Sequence, residues 1–276
     1  MAIIEYLIVV ILNGCIMRIN VGHTTPIWKM GGKYKSTKKL KTKEQLAIEF
    51  IQKYEPEDEP YMLCYSGGKD SVVLEDLVRK SGVKYIVYYS LTPDPPELLK
   101  FIKSRKFKVN ILRPNFTFWR GIEINFPPHR KGRWCCNYIK EKPSTKIPLV
   151  HRLLGIRAEE SRNRAKQGMI NERTKKRINY HPLFDWLEWE IWDYIETNNL
   201  EYCSLYDEGF SRLGCVVCPM RSYKDQMRYK DRWPQYFKLF EKSAMKWWDK
   251  KGYHRQSMRG YYKLFEDFLD GWYKGK

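Results

Sequence analysis

Apolar positions recur along the middle of the chain in two alternating rhythms. In TKEQLAIEFIQKY they fall on Leu46, Ile48, Phe50 and Ile51, which is helical spacing. YMLCYS, which follows, is a short apolar strand that ends at two glycines. SVVLEDLVRK then predicts a helix and KYIVYYSL a strand, which together complete a βαβ unit. Helix PPELLKFIKSRK, strand VNILRP and strand LVHRLLGIR continue the alternation. The order predicts an α/β fold, a parallel sheet with helices on both faces, Rossmann-like in its winding. Ligands of such sheets sit beyond the carboxyl ends of the strands. Ser66, Gly67, Gly68, Lys69, Asp70 and Ser71, then Thr92 and Asp94, then Arg157, all fall at such ends.

Past the sheet, LEWEIWDYIETNNL predicts an amphipathic helix, and CSLYDEGFSRLGCVVCP has the glycine spacing of a loop. The chain from Arg221 onward predicts two or three helices dense in Lys, Arg, Trp and Tyr. Before the sheet, GGKYKSTKKLKTK is a basic, solvated link. Three regions follow: 1–43, an N-terminal segment and link; 44–220, the α/β domain; and 221–276, a basic aromatic-rich helical extension. The run AIIEYLIVVIL is apolar but is interrupted by Glu5, lacks a preceding basic region and is too short to span a bilayer. Met17 opens a more ordinary sequence, so the first sixteen residues read either as an upstream start or as a peripheral strand.

Composition adds a constraint on partners. The chain has 276 residues, 43% of them apolar, enough for one good core, and a formal charge of +19. A positive field of that size favours nucleotides, nucleic acid or other polyanions, although a solvated lysine-rich surface accounts for it equally. Seven cysteines, two adjacent and two in C-x-x-C spacing, argue against a secreted disulfide framework. They indicate metal ligation in a reducing, cytoplasmic compartment.

Two stretches carry candidate chemistry. In SGGKDS the glycines let backbone N–H groups turn inward as an anion nest, Ser66 and Ser71 add hydroxyls, and Lys69 supplies a point charge. Asp70 fits a helix N-terminus or a magnesium ligand held through water. The spacing is not that of a Walker loop, and a plain strand-to-helix turn would use the same residue types. The second stretch is divided. Cys135 and Cys136 are neighbours and Cys215 and Cys218 flank two valines, so tertiary folding could bring four thiolates to one metal. Ligand type alone leaves zinc and an iron–sulfur cluster open. Cys15, Cys64 and Cys203 read as ordinary core or surface residues, and His129, His151 and His181 as structural ones.

SGGKDS in its βαβ context resembles the PP-loop of the adenine-nucleotide α-hydrolase superfamily, whose members bind ATP and in many cases cleave between its α- and β-phosphates. With Cys-Cys after it, then GIRAEESRNR from Gly155 to Arg164, then C-x-x-C, the order is similar to that of the phosphoadenosine phosphosulfate (PAPS) reductase family, in particular its cluster-bearing branch. HPLFDWLEWEIWDYI and LYDEGFSRLGC are also similar to segments of that family, and the resemblance runs from about Pro60 to Pro219. It implies a 4Fe-4S cluster on Cys135, Cys136, Cys215 and Cys218 in preference to zinc. It also implies Arg157 and Arg164 as anion clamps with Ser161 adding a hydroxyl, and Thr92 and Asp94 near adenine or ribose.

Two departures from that pattern decide between chemistries. The family's reductases use a cysteine near the C-terminus, whereas this sequence has none after Cys218. They also tend to carry a modified loop, because their substrates lack a β-phosphate, and the loop here is complete. The leading expectation is therefore adenylation, with Mg-ATP on 66–71, Lys69 and Asp70 as the catalytic pair, and a cluster coupled to sulfur transfer. Relatives that combine these features include cluster-containing tRNA thiolases and the cluster protein of DNA phosphorothioation systems. The expected partners are an adenine nucleotide, a tRNA or DNA acceptor, a thiol or sulfur-donor protein and a second copy of the chain, with no membrane. The alternatives are reduction of APS or PAPS with an external thiol, and a nucleic-acid-binding module without turnover built on the helices after Arg221.

Overall fold

The computed structural model describes residues 7–12, 15–20, 42–174, 177–252, 262 and 264–275. The chain divides into two compact units, residues 1–41 and 42–276. In the first, β1 (Leu7–Leu12) and β2 (Cys15–Asn20) pair as an antiparallel hairpin with Leu12 opposite Cys15. The basic link expected at 31–43 lies outside the described residues up to position 41.

The second unit opens on α1 (Lys43–Lys53), whose start is fixed by a capping box. Thr42 Oγ1 accepts from the Gln45 N–H at 3.2 Å, and the Gln45 side chain accepts from the Thr42 N–H at 3.0 Å. Ala47 and Ile51 are its buried residues. Then come β3 (Tyr61–Cys64), α2 (Lys69–Ser81), β4 (Tyr85–Ser90), α3 (Pro96–Lys103), β5 (Val109–Leu112), α4 (Phe118–Ile124) and β6 (His151–Leu154). The short helix α5 (Arg162–Ala165), β7 (Ile170–Thr174), β8 (Arg177–Tyr180) and α6 (Glu188–Thr197) follow. The chain closes with α7 (Tyr223–Arg232), α8 (Pro234–Trp247) and α9 (Phe265–Lys274).

Six strands form one sheet in the order β5-β4-β3-β6-β8-β7. Five run parallel and β7 is antiparallel to β8. Tyr61, Met62 and Leu63 of β3 are all essentially fully buried. Successive strand side chains point to opposite faces, so both faces of the sheet are covered there. Tyr61 and Leu63 join the main core. On the Met62 side, the register partner Arg152 is buried and donates to Ser144 Oγ and to the Ser144 carbonyl, both at 2.9 Å, so the segment around Ser144 covers that face.

The hairpin of β7 and β8 was not among the elements expected from apolar spacing. INERT is polar because β7 is an edge strand, where unpaired backbone and charge commonly occur together, whereas RINY of β8 lies between β6 and β7. Charge density concealed the strands, and pairing with β6 places them. The C-terminal aromatics are largely core. Phe237, Phe240, Ala244 and Trp247 lie on one face of α8, Phe240 meets Trp272 at 4.2 Å between centroids, and the Trp272 indole donates to the Pro128 carbonyl at 2.6 Å.

Candidate functional site

The chain winds from β3 outward through β4 to β5, then returns to place β6 on the other side of β3. The order thus reverses at β3, and doubly wound sheets bind ligands beyond the carboxyl ends of the strands at such a reversal. The residues at 66–71 fill that position. Gly67 has φ +74°, and a Cβ there would lie 2.7 Å from Ile102 Cγ1, so this position requires glycine twice over. Gly68 caps α2, Ser71 Oγ donates to the Gly68 carbonyl at 2.8 Å, and the Ser66 and Ser71 hydroxyls are 3.3 Å apart. The Gly68 N–H turns in toward Ser66 Oγ at 3.4 Å. The Lys69 N–H donates to Tyr206 Oη at 2.9 Å.

Two buried cations stand at this loop. Lys69 is 5% exposed; its ammonium lies 3.2 Å from Glu188 Oε1 and 3.9 Å from Asp70 Oδ2, donates to the Ser211 carbonyl at 3.3 Å, and sits 5.6 Å from the centre of the Tyr206 ring. Arg157, after β6, is 3% exposed; its Nε donates to Asp70 Oδ1 at 2.5 Å and its Nη1 pairs with Glu159. Burial opposes the charge of Arg157, but Asp70, Glu159 and Glu160 outweigh it and hold the guanidinium above its ordinary range. Glu159 also accepts from the Glu188 N–H at 2.8 Å, tying the first turn of α6 to the same cluster.

Of the other residues expected at the nucleotide, Ser161 caps α5, accepting from the Arg164 N–H at 3.2 Å, and the Arg164 guanidinium pairs with Glu160. Glu160 Oε2 in turn accepts from the Arg157 N–H at 3.3 Å, which links Arg164 to Arg157 through one carboxylate. Thr92 and Asp94 are brought to the cysteines. Asp94 is buried, and its Oδ2 accepts from Tyr89 Oη at 2.5 Å and from Thr92 Oγ1 at 2.6 Å. Cys215 hydrogen-bonds to the Thr92 side chain, and the Val216 N–H donates to the Pro93 carbonyl at 2.8 Å. The C-x-x-C turn is thereby fastened to the end of β4.

The two cysteine pairs converge. Cys136 opens a single π-helical turn, Cys136–Glu141, and Cys135 lies within electrostatic reach of Cys136, Cys215 and Cys218. Cys64, Cys135, Cys136, Cys203, Cys215 and Cys218 are free thiols. A hydrogen bond shared with Cys135 holds Cys136 below the ordinary thiol range, helped by Arg133 and Lys140, while burial pushes Cys215 up to about 12. Among the described residues, no three His, Cys, Asp or Glu side chains close on one point at metal-holding spacing. The donor set nevertheless suits a thiophilic centre, with four sulfurs from two short segments and basic side chains beside them.

Several participants carried little sequence signal. Tyr206, within LYDEG, receives the Lys69 N–H, and Glu188 was part of a helix pattern. Arg221 follows the C-x-x-C turn, donates to the carbonyls of Cys215 and Gly214, and stacks 3.6 Å from the Tyr229 ring centre. Arg130 secures the same turn through the carbonyls of Pro219 at 3.3 Å and Arg221 at 3.2 Å. The loop from Tyr206 to Cys218 therefore serves both places: its beginning holds Lys69 and its end presents the thiols.

The profile described as "Phosphoadenosine phosphosulfate reductase domain" matches residues 60–221, more than half of the chain. The chain belongs to the phosphoadenosine phosphosulfate reductase family. The matched span takes in the glycine loop, both arginines and all four paired cysteines. An uncharacterised protein of Methanocaldococcus jannaschii is 34% identical over 213 residues, 72% of this chain and 44% of that protein. A second from the same organism is 28% identical over 74% of this chain and 53% of its own length. The chain thus spans about half the length of these relatives. An adenosine 5'-phosphosulfate reductase of Oceanobacillus iheyensis is 28% identical, over 61% of this chain and 75% of its own. Among solved structures, a PAPS reductase from Candida auris superposes with a TM-score of 0.48 at 17% identity, covering 61% of this chain and 87% of that one. A U34-tRNA thiolase from Methanococcus maripaludis, solved with its 4Fe-4S cluster, gives 0.42 at 16% identity, covering 81% and 78%. Among the described residues, no helix is long and apolar enough to cross a membrane.

Proposed function

We propose that the chain binds Mg-ATP at 66–71 and cleaves it between the α- and β-phosphates, activating an acceptor for sulfur transfer. The observation that carries this reading is the complete S-G-G-K-D-S loop at the switch point, flanked by two buried cations whose partners Glu159 and Glu188 are roughly half exposed. The cations are held in place while their carboxylates face solvent. A triphosphate can then displace the carboxylates without moving the cations, and the site is organised for charge before the ligand arrives. Magnesium would take Asp70 as ligand or through water, and Arg164 and Ser161 stand one carboxylate further out, at Glu160.

In the reaction, an acceptor oxygen attacks the α-phosphorus, the α–β bridging bond breaks and pyrophosphate leaves with the bond's electron pair. AMP stays on the acceptor until a sulfur nucleophile displaces it. Lys69 and the loop N–H groups stabilise the charge that develops on the leaving oxygens. Cys135, Cys136, Cys215 and Cys218 would hold a 4Fe-4S cluster, which when bound can carry or donate sulfur. Thr92, Asp94 and Arg221 keep the Cys215 segment in register with the sheet. The acceptor that suits a chain of charge +19 is a nucleic acid, tRNA or DNA. A second reading is favoured by the adenosine 5'-phosphosulfate reductases among the relatives: reduction of APS or PAPS by an external thiol.

Nucleotide titration separates these readings at the binding step. The proposal expects Mg-ATP to bind at least tenfold more tightly than adenosine 5'-phosphosulfate, and Lys69→Ala to weaken ATP at least tenfold. Equal or tighter binding of the sulfonucleotide, indifferent to magnesium, would select the second reading.

A further inference from the structure

Beside the cysteines lies a surface that nucleotide binding does not use. Between Arg130 and Lys146 the chain presents Arg130, Lys131, Arg133, Lys140, Lys142 and Lys146, all exposed, against the single acidic residue Glu141. Tyr138, two residues from Cys136, is 41% exposed within this field, although the other aromatics near it are packed more deeply. Lys142 holds its ammonium 5.0 Å from the Tyr138 ring centre, Phe116 lies 6.4 Å from it, and Lys146 donates to Asn115 Oδ1 at 2.9 Å. Together with Pro143 these residues line a groove of about 100 Å³.

That volume decides what can enter. Pockets that enclose a whole small ligand run from roughly 300 Å³ upward. The groove is too small for a complete nucleotide and suits one flat group, with the remainder of the ligand lying across the basic surface. An exposed aromatic ring with one lysine ammonium over it and a second lysine in the same lining is the kind of combination that single-stranded nucleic acid meets in sequence-tolerant sites. A paired base has no face to offer such a groove, so the strand must be open where it docks.

We infer that the groove of Phe116, Tyr138, Lys142 and Lys146 seats one unpaired base of a nucleic-acid strand, with its neighbouring phosphates on the two lysines. This deepens the acceptor side of the function proposed above and rests on it. The position of Tyr138 two residues from Cys136 brings that base to the thiol segment. The C-terminal helices, whose tryptophans are mostly core, are not needed for the contact.

The test is fluorescence anisotropy of the full chain with labelled oligonucleotides, single-stranded RNA, single-stranded DNA and duplex, across a salt series. The single strands should bind more tightly than duplex, and comparison of the RNA and DNA arms identifies the acceptor's sugar. Tyr138→Leu should weaken binding about 5- to 150-fold, the span expected for one base stacked on an aromatic ring, while Tyr138→Phe should retain it. Lys142→Glu with Lys146→Glu should flatten the slope of log affinity against log salt by about 1.4, at about 0.7 per phosphate contact on a single strand. Thermal unfolding of each variant guards against a folding defect, and Tyr138→Phe supplies the internal rescue. Binding unaffected by Tyr138→Leu and by the lysine pair, a preference for duplex, or no binding by the wild-type chain would overturn the inference. ATP cleavage is read separately. Strand binding without cleavage would contradict the adenylation reading and leave this surface standing, whereas cleavage without strand binding would do the reverse.

Discussion

Gly67 shows how closely the loop is specified. Its φ of +74° costs an L-residue about 1–2 kcal/mol, and the methyl of alanine would also press on Ile102 and Leu98 of α3. Gly67→Ala should therefore lower unfolding free energy by at least about 2 kcal/mol in urea titration and impair nucleotide binding; unchanged stability would mean that the loop can adopt another path. A second residue bears on pH. Glu75 of α2 is buried and accepts from Tyr85 Oη at 2.9 Å. Burial raises its carboxyl above the ordinary range, against the opposing effects of the Tyr85 hydrogen bond and Arg79. Because the folded value exceeds the unfolded one, its contribution to stability is fully present below the unfolded value of about 4.3 and is lost as pH rises through the folded value. Glu75→Gln imitates the protonated acid. It should raise the melting temperature at pH 8 and give no gain near pH 4, and a gain independent of pH would contradict the assignment.

At the scale of elements, the anchoring of the C-x-x-C turn is the testable feature. Arg221 holds the carbonyls of Gly214 and Cys215 and is itself held by the Tyr229 ring and Arg130. Charged hydrogen bonds of this kind are worth about 1.5–3 kcal/mol each. With iron–sulfur reconstitution under anaerobic conditions, Arg221→Ala should lose iron to a chelator several-fold faster than wild type, and Arg221→Lys should fall between. Equal rates would show that Thr92, Pro93 and Arg130 hold the turn without the Arg221 side chain. The elements themselves were legible wherever periodicity was strong: β3, α2, β4, α3, β5, β6 and α6 follow directly from apolar spacing. The hairpin of β7 and β8 was not legible, because its pairing is set by a neighbouring strand and its residues are charged. The loop at 66–71 and the four cysteines could be found as candidates because their chemistry is local in sequence. The partners of Arg157 could not, since Asp70 lies 87 residues away and only the meeting of β3 and β6 brings the two together. For the same reason the contact of Thr92 and Asp94 with Cys215 could not be read from the sequence, since it forms only where the end of β4 meets the C-x-x-C turn.

For the molecule as a whole, one sheet brings two chemistries to its carboxyl edge. The glycine loop lies after β3, the C-x-x-C turn is fastened to the end of β4, and the loop from Tyr206 to Cys218 joins them. Membership of the phosphoadenosine phosphosulfate reductase family accounts for the arrangement and does not by itself assign a reaction. The complete loop and its two buried cations favour the α–β bond of ATP. The most direct test supplies the anaerobically reconstituted protein with Mg-ATP and single-stranded nucleic acid in one vessel, and adenosine 5'-phosphosulfate with a dithiol in another. The account predicts pyrophosphate from the first, abolished by Lys69→Ala, and no sulfite from the second. Sulfite from the second vessel with no pyrophosphate from the first would contradict it.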